Sequence, residues 1–472
     1  MPLYDFQQKI VDDLAATLAK KDSVVVQSPT GTGKTIMAGE ISRRISLREK
    51  RVLILVHRRE LIYQFVDTLK EYGLKAEIGV IAPGYSYVPF QPIQIASVQS
   101  LVRRKGNLRP DFIFIDEAHH ARATTWEKIF AKYPNAKRIG FTATPQRLDG
   151  KGLGSHFEDM IQAPPTLELI KQGYLPEMKV LRIPQGLSTK GVKTRMGDYD
   201  QKEVAKRVNA TVVAAGAKAY IKYAKGKKAV FFGAGVRHSM DVAETLKGLG
   251  VKAMHLDGTS DARVRRDAVY SFKNGGIDVL CNADLFQEGF DAPGCQVVLD
   301  AAPTKSVTRY LQKAGRCARA PKGEKALFLD LAGNFWFLGR PDEERKWELG
   351  DKDTKNQHKT AIPKPKQYKT CQFCANVFLA YQNTCPECGK LQDTNKRVEE
   401  IDVDLEEAGY REKKKTIGKI KFTKKKHQMH QDLAKIRQLP IEQQWPSLLA
   451  YAKANNYKYG WARKYAQIVG MR

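Results

Sequence analysis

Gln27-Ser28-Pro29-Thr30-Gly31-Thr32-Gly33-Lys34-Thr35 is the stretch whose reading decides the fold. It follows Asp22-Ser23-Val24-Val25-Val26, which has the character of a short buried strand. It precedes Ile36-Met37-Ala38-Gly39-Glu40-Ile41, which reads as the start of a helix. A glycine-rich loop between a strand and a helix predicts a phosphate-binding P-loop. Gly31 and Gly33 let the backbone curl until its N–H groups face one point, and the helix N-terminus adds positive dipole there. Thr30 and Thr32 lie in the same cradle, Lys34 reaches the outer phosphates, and the Thr35 hydroxyl is a ligand for Mg²⁺. Ser28 stands where the commoner pattern has its first glycine.

A second stretch turns binding into chemistry. Asp111-Phe112-Ile113-Phe114-Ile115 reads as a strand that delivers Asp116 and Glu117 to its carboxyl end, followed by Ala118 and His119. Beside a P-loop, Asp116 is suited to hold Mg²⁺ and Glu117 to polarise an attacking water. His119 either couples the nucleotide to a neighbouring domain or packs. Arg138-Ile139-Gly140-Phe141 is a further strand, with hydroxyls at its tip in Thr142-Ala143-Thr144-Pro145. Arg51 to Val56 and Ile93 to Ser97 are apolar runs that end in polar residues, including Arg58, Ser97 and Gln99. In an open parallel sheet, ligands bind at such carboxyl ends. Upstream, Gln7 and Gln8 compete as the amide that reads an adenine edge.

Strand and helix patterns then repeat. Lys228 to Phe232, Val251 to Leu256 and Asp278 to Asn282 alternate with helical segments, which predicts a second parallel sheet. Tyr310-Leu311-Gln312-Lys313-Ala314-Gly315-Arg316-Cys317-Ala318-Arg319 carries this domain's chemistry. Arg316 and Arg319 lie three apart, so on a helix they share a face. Guanidinium groups facing a γ-phosphate across a cleft stabilise the charge being transferred.

The 472 residues carry a formal net charge of +29, with a sequence pI near 9.7. That field favours a polyanion, most commonly nucleic acid. No run approaches the roughly 18 apolar residues of a membrane span, and the N-terminus has no secretory pattern. A cytoplasmic location in a bacterial or phage-infected cell is expected. Of seven cysteines, Cys371, Cys374, Cys385 and Cys388 form a C-x2-C-x10-C-x2-C set. That spacing predicts a closed, structural Zn²⁺ site rather than disulfides. Residues 411–426 are strongly basic, and Tyr457, Tyr459, Trp461 and Tyr465 lie among basic residues. Those aromatics either stack on bases or form the core of a small helical module.

Ser-Pro-Thr-Gly-Thr-Gly-Lys-Thr, Asp-Glu-Ala-His and Thr-Ala-Thr-Pro, in that order, resemble the first RecA-like domain of superfamily 2 helicases. Gln312-x-x-Gly315-Arg316-x-x-Arg319 matches that superfamily's Gln-x-x-Gly-Arg-x-x-Arg motif, and Phe286-Gln-Glu-Gly289-Phe-Asp291 resembles the motif that contacts ribose. The resemblance covers about residues 1–345. It implies an ATP hydrolase with adenine read by Gln7, the nucleic-acid strand held by Arg58, Ser97 and Gln99, and coupling through His119, Thr142, Thr144 and Gln312. It places Gly289 and Asp291 against the nucleotide. The motor looks closest to the UvsW-like and XPB-like branch, and the Tyr-Lys-Tyr-Gly-Trp-Ala segment at 457–462 looks like the end of phage and bacterial helicases with a zinc ribbon. The expected architecture is α/β, with two tandem RecA-like parallel-sheet domains, a small zinc ribbon and a helical basic tail. The expected boundaries are 1–185 for the first domain, 186–197 for a hinge and 198–345 for the second domain. A linker at 346–368, the ribbon at 369–392, a charged linker at 393–430 and the helical module at 431–472 complete the division. A monomeric motor acting on DNA is favoured, with an RNA-dependent ATPase or an ATP-switched binding protein as the rivals.

Overall fold

A computed structural model describes residues 2–57, 59–74, 78–104, 108–120, 123–146, 152–182, 187–195, 197–286, 294–321, 323–350, 368–371, 373, 377–379, 382–391 and 441–454. The chain forms two compact units, Met1–Ile401 and Asp402–Arg472. In the second, the described residues are the helix Ile441–Ala454, which contains Pro446 and buries Leu448 and Ala452 one turn apart. The first unit holds everything below.

Its first sheet has seven strands: β1 Ser23–Gln27, β2 Val52–Val56, β3 Ile78–Ile81, β4 Ile93–Ser97, β5 Phe112–Asp116, β6 Lys137–Thr142 and β7 Asp159–Gln162. They lie in the order β3-β4-β2-β5-β6-β1-β7, and every pair is parallel. Burial on both faces explains the unbroken apolar runs, since β1, β2 and β4 are buried at every position. The helix Asp5–Leu18 covers one face with Phe6, Ile10, Val11, Leu14 and Leu18, spaced at the helical period. Register matters more than composition for the site. Gln27 pairs with Thr142, and Asp116 pairs with Phe141. The P-loop, the carboxylates and the Thr142 hydroxyl therefore leave the sheet at one level.

The second sheet contains β8 Met178–Arg182, β11 Ala229–Phe232, β12 Ala253–His255, β13 Val279–Asn282, β14 Val297–Asp300 and β15 Ala326–Asp330, with the hairpin β9 Thr194–Arg195 and β10 Asp198–Tyr199 set apart. The order is β12-β13-β11-β14-β15-β8, again parallel throughout. This corrects one expected boundary. Residues 178–182 were assigned to the first domain, yet β8 pairs along its length with β15, from Met178 with Ala326 to Arg182 with Asp330. The chain thus crosses between sheets near Leu175–Met178, ahead of the expected hinge at 186–197.

It also crosses back. Residues 346–350, expected to begin a linker, pack against the first lobe. Gln162 Nε2 donates to the Trp347 carbonyl at 3.3 Å, and Leu349 joins the cluster that holds Leu153 and Phe157. Gly152 is required there, because a Cβ would lie 2.2 Å from the Gly350 carbonyl oxygen. A small antiparallel pair, β16 Tyr368–Thr370 and β17 Val377–Leu379, carries the cysteine module. Residues 351–367, 392–440 and 455–472, including the basic run and the terminal aromatics, lie outside the described residues.

Candidate active site

The P-loop is built as its glycines require. Gly31 has φ +90° and Gly33 has φ +78°, both in the left-handed region that a side chain disfavours. Gly33 precedes the helix Lys34–Ser46, so the curl ends at a helix N-terminus. Ser28 has a definite job. Thr32 Oγ1 donates to the Pro29 carbonyl at 2.6 Å, and the Ser28 hydroxyl lies 2.6 Å from the same Oγ1, so Ser28 is the donor of that pair. A glycine at 28 would leave this buried turn unbraced. Lys34 Nζ is held over the loop by the carbonyls of Ser28 and Pro29, at 3.2 and 3.3 Å.

Gln7 and Gln8 separate cleanly. Gln7 is buried, donates from Nε2 to the Thr32 carbonyl at 2.8 Å, and accepts the Tyr4 N–H at 2.9 Å. Gln8 faces away and is tied to Asp12 and Arg44. The amide beside the P-loop is therefore that of Gln7.

Asp116 ends β5 in a buried position. Burial, then the neighbouring Glu117 charge, pushes its carboxyl up to about 7, while Lys34 pulls the other way. Glu117 adopts φ +49°, a conformation that costs a residue with a Cβ and is retained where geometry is over-determined. Its Oε2 is buried, makes no hydrogen bond, and lies 3.4 Å from His119 Nδ1.

The second lobe meets this group at close range. Gly315 is required at the contact, since a Cβ there would lie 2.3 Å from Thr30 Cβ. A Cβ on Gly31 would lie 3.2 Å from Ala318. Lys34 feels the charges of Arg319 and Arg316 as well as those of Glu117 and Asp116, and burial holds its ammonium below its ordinary value. Contrary to the expectation that Arg316 and Arg319 share a helix face, they do not both lie in a regular helix. The helix Val307–Ala314 ends at Gly315, and Cys317–Arg319 form a 3₁₀ turn. Residues three apart eclipse in such a turn, so the shared direction survives. Behind the P-loop, a cavity of about 550 Å³ separates Phe6 and Thr30 from Leu311 and Trp347.

A hydrogen-bonded chain also spans the lobes. Gln312 Nε2 lies 3.0 Å from His119 Nε2, His119 Nδ1 lies 2.9 Å from Thr142 Oγ1, and Thr142 Oγ1 donates to the Thr144 carbonyl at 2.9 Å. With the Gln312 amide as donor, the ring proton of His119 sits on Nδ1 and passes to Thr142. His119 thus touches both lobes rather than merely packing.

The nucleic-acid candidates are less uniform. Gln99 is exposed, on the helix Val98–Arg103. Ser97 is buried, and its hydroxyl caps that helix by accepting the Ser100 N–H at 3.2 Å. Arg58, Gly289, Asp291 and Cys374 lie outside the described residues. One histidine, His120, escaped the sequence reading. The His57 and His120 ring centroids lie 5.2 Å apart, and His120 lies 4.3 Å from His119. The doubled His119-His120 was the available signal.

Cys371, Cys385 and Cys388 converge, their Sγ atoms all within 4.8 Å of one another. Cys371 and Cys388 are 3.6 Å apart at sulfur. A disulfide needs about 2.05 Å. Thiolates at about 2.3 Å from a tetrahedral ion are separated by about 3.8 Å. The donor set fits zinc.

Comparison with known proteins agrees with this geometry. The family described as "Type III restriction enzyme, res subunit" matches residues 1–147, and "Helicase conserved C-terminal domain" matches residues 212–321. A 51.5 kDa protein of a Lactococcus phage (isolate 7-9) is 31% identical over 387 residues, 81% of each chain. The putative ATP-dependent helicase IRC3 of Saccharomyces cerevisiae is 27% identical over 67% of this chain and 49% of its own length. The DNA 3'-5' translocase XPB2 of Sulfurisphaera tokodaii is 23% identical over 70% of this chain and 81% of its own. Among solved structures, a fragment of a putative HsdR subunit of a type I restriction enzyme from Vibrio vulnificus shares the fold, with TM-score 0.54 at 20% identity over 72% of this chain and 67% of its own. The two family matches, the phage relative aligned over 81% of each chain and the helicases among the relatives together show that the chain belongs to the superfamily 2 helicases and hydrolyses ATP.

Proposed function

We propose that the chain is a nucleic-acid translocase of the UvsW-like and XPB-like type, acting on duplex or branched DNA in replication or recombination. The carrying observation is that the Gly315–Arg319 segment of one lobe packs directly on the P-loop of the other, with Gly315 against Thr30 and Ala318 against Gly31. An ATP site completed only across a cleft couples turnover to lobe movement. The net charge of +29 supplies the attraction to a polyanion. The likeness to an enzyme named a DNA translocase favours DNA.

In this reading, Gln7 reads adenine, and Thr30 to Thr35 cradle the phosphates. Mg²⁺ held through Thr35 and Asp116 supplies charge neutralisation at the phosphate oxygens. Glu117, with one unengaged buried oxygen, orients the attacking water and accepts its proton. Arg316 and Arg319 stabilise the charge that develops on the transferring phosphoryl group. Gly289 and Asp291 are assigned to the nucleotide by resemblance alone, as Arg58 is to the strand. Gln99 contacts the strand, and Ser97 fixes the helix that presents it. Gln312, His119, Thr142 and Thr144 relay lobe position to the hydrolytic site. Zn²⁺ on Cys371, Cys374, Cys385 and Cys388 is structural, with no ligand position left for water.

ATP turnover measured side by side with duplex DNA, forked DNA and RNA, at stated salt, tests the assignment. Stimulation by DNA, forks above all, is expected. Stimulation by RNA alone overturns the DNA preference. Failure to displace a strand from a fork reduces the protein to a switch.

A further inference from the structure

β8 is the edge strand of the second sheet, and an uncovered edge is a liability for any parallel sheet. Here β17 of the cysteine module lies against it. One residue of the second cysteine knuckle adds charge to that contact. Glu387, between Cys385 and Cys388, accepts from Lys179 Nζ on β8 at 2.9 Å through Oε1, and from Lys325 Nζ, just ahead of β15, at 3.3 Å through Oε2. Lys325 also pairs with Glu177 at 3.2 Å, so four charges form one network across the junction.

The knuckle's backbone aims that carboxylate. Gly389 N–H donates to the Cys385 carbonyl at 2.9 Å, Cys385 N–H donates to the Lys390 carbonyl at 3.0 Å, and Gly389 turns at φ +67°. Thiolates at 385 and 388 bound to one ion would hold the two ends of the Pro386-Glu387 segment and so stiffen the backbone turn that aims the carboxylate at both lysines. We infer that Glu387 is a latch that docks the cysteine module onto the second lobe, set by the metal on the flanking thiolates. The module then travels with the lobe that carries Arg316 and Arg319. This inference rests on the zinc reading above.

Hydrogen exchange and metal analysis on the full chain test it. The parent, loaded with one zinc, protects the backbone of 177–182 and 323–326. Glu387→Lys should keep its zinc and its ATPase rate without nucleic acid, yet exchange in both segments should accelerate by about five-fold or more, as the loss of a few paired charges implies. Adding Lys179→Glu to Glu387→Lys should return part of the protection. Chelator-stripped parent should behave like Glu387→Lys. Zinc-loaded Glu387→Lys with parental exchange overturns the latch while sparing the zinc site. A parent without bound zinc overturns both.

Discussion

On the proposed mechanism, two residues of the second lobe, Arg319 and Gly315, decide whether the ATP site works. Arg319→Ala should lower turnover by roughly 10³-fold or more, the scale on which a transition-state arginine acts, while nucleotide affinity changes little. Single-turnover hydrolysis set beside equilibrium nucleotide binding checks it, and an unchanged turnover removes Arg319 from the site. Gly315 offers a test of closure itself. Its φ of −63° suits any residue, so Gly315→Ala carries no backbone strain. The added methyl instead meets Thr30 across the cleft, at 2.3 Å from its Cβ. Turnover should fall with each lobe still folded, and Thr30→Gly in the same chain should restore part of it, because Thr30 holds the atoms that collide. At this scale the sequence was most legible. Lys34, Asp116, Glu117 and Arg316 could be assigned to one site because each motif is local and its chemistry needs fixed residue types. Ser97 was read as a contact, and the structure adds that its hydroxyl caps the next helix, a second use that a hydroxyl at a strand end also suits.

Elements hold these residues in place through buried polar groups. The helix that carries Gln312 is anchored by Lys313, whose Nζ donates to Asp300 Oδ1 at 2.6 Å and to the Ala302 carbonyl at 2.8 Å, with both side chains buried. Asn334 Nδ2 donates to Asp300 Oδ2 at 2.9 Å, and Asp330 accepts four backbone N–H groups from 332 to 335. Lys313→Met should cost about 3–5 kcal/mol, since it strands a buried carboxylate, and urea unfolding measures that. A second element titrates. His238, on the helix Val236–Gly248, accepts the Ala234 N–H at Nδ1, and burial drives it down to about 4 despite Asp241. Its unfolded value is about 6.5. Between those values the unfolded chain binds more protons, so the stability is complete above the unfolded value and drains away as pH falls toward the folded one. The loss from pH 7 to pH 5 should be about 2 kcal/mol. His238→Asn, which retains an acceptor for Ala234, should flatten that slope in unfolding curves. None of this was legible beforehand. Asp300, Lys313 and Asn334 carry no motif of their own, and β8 joins a partner strand nearly 150 residues away. The glycine that ends the helix at Ala314 was visible, yet it was read only as part of a motif.

For the whole molecule, charge and connectivity set behaviour. A chain at +29 that grips a phosphate backbone should bind it with steep salt dependence. The logarithm of affinity for duplex DNA should fall against the logarithm of salt with a slope of roughly −4 or steeper, as about five phosphates imply. A flat response in a binding titration would mean that this charge serves another partner. The two-sheet plan was legible because repeated strand and helix patterns announce parallel sheets. The path between the sheets was not. The chain leaves the first lobe near Leu175 and returns to it at Trp347 and Leu349, so the second lobe is fastened at both ends. A body held at one point can swing in any direction, whereas one held at two can only swivel about the line that joins them. On the proposed mechanism the two crossings act as a door's two pintles, and ATP has a single angle to change.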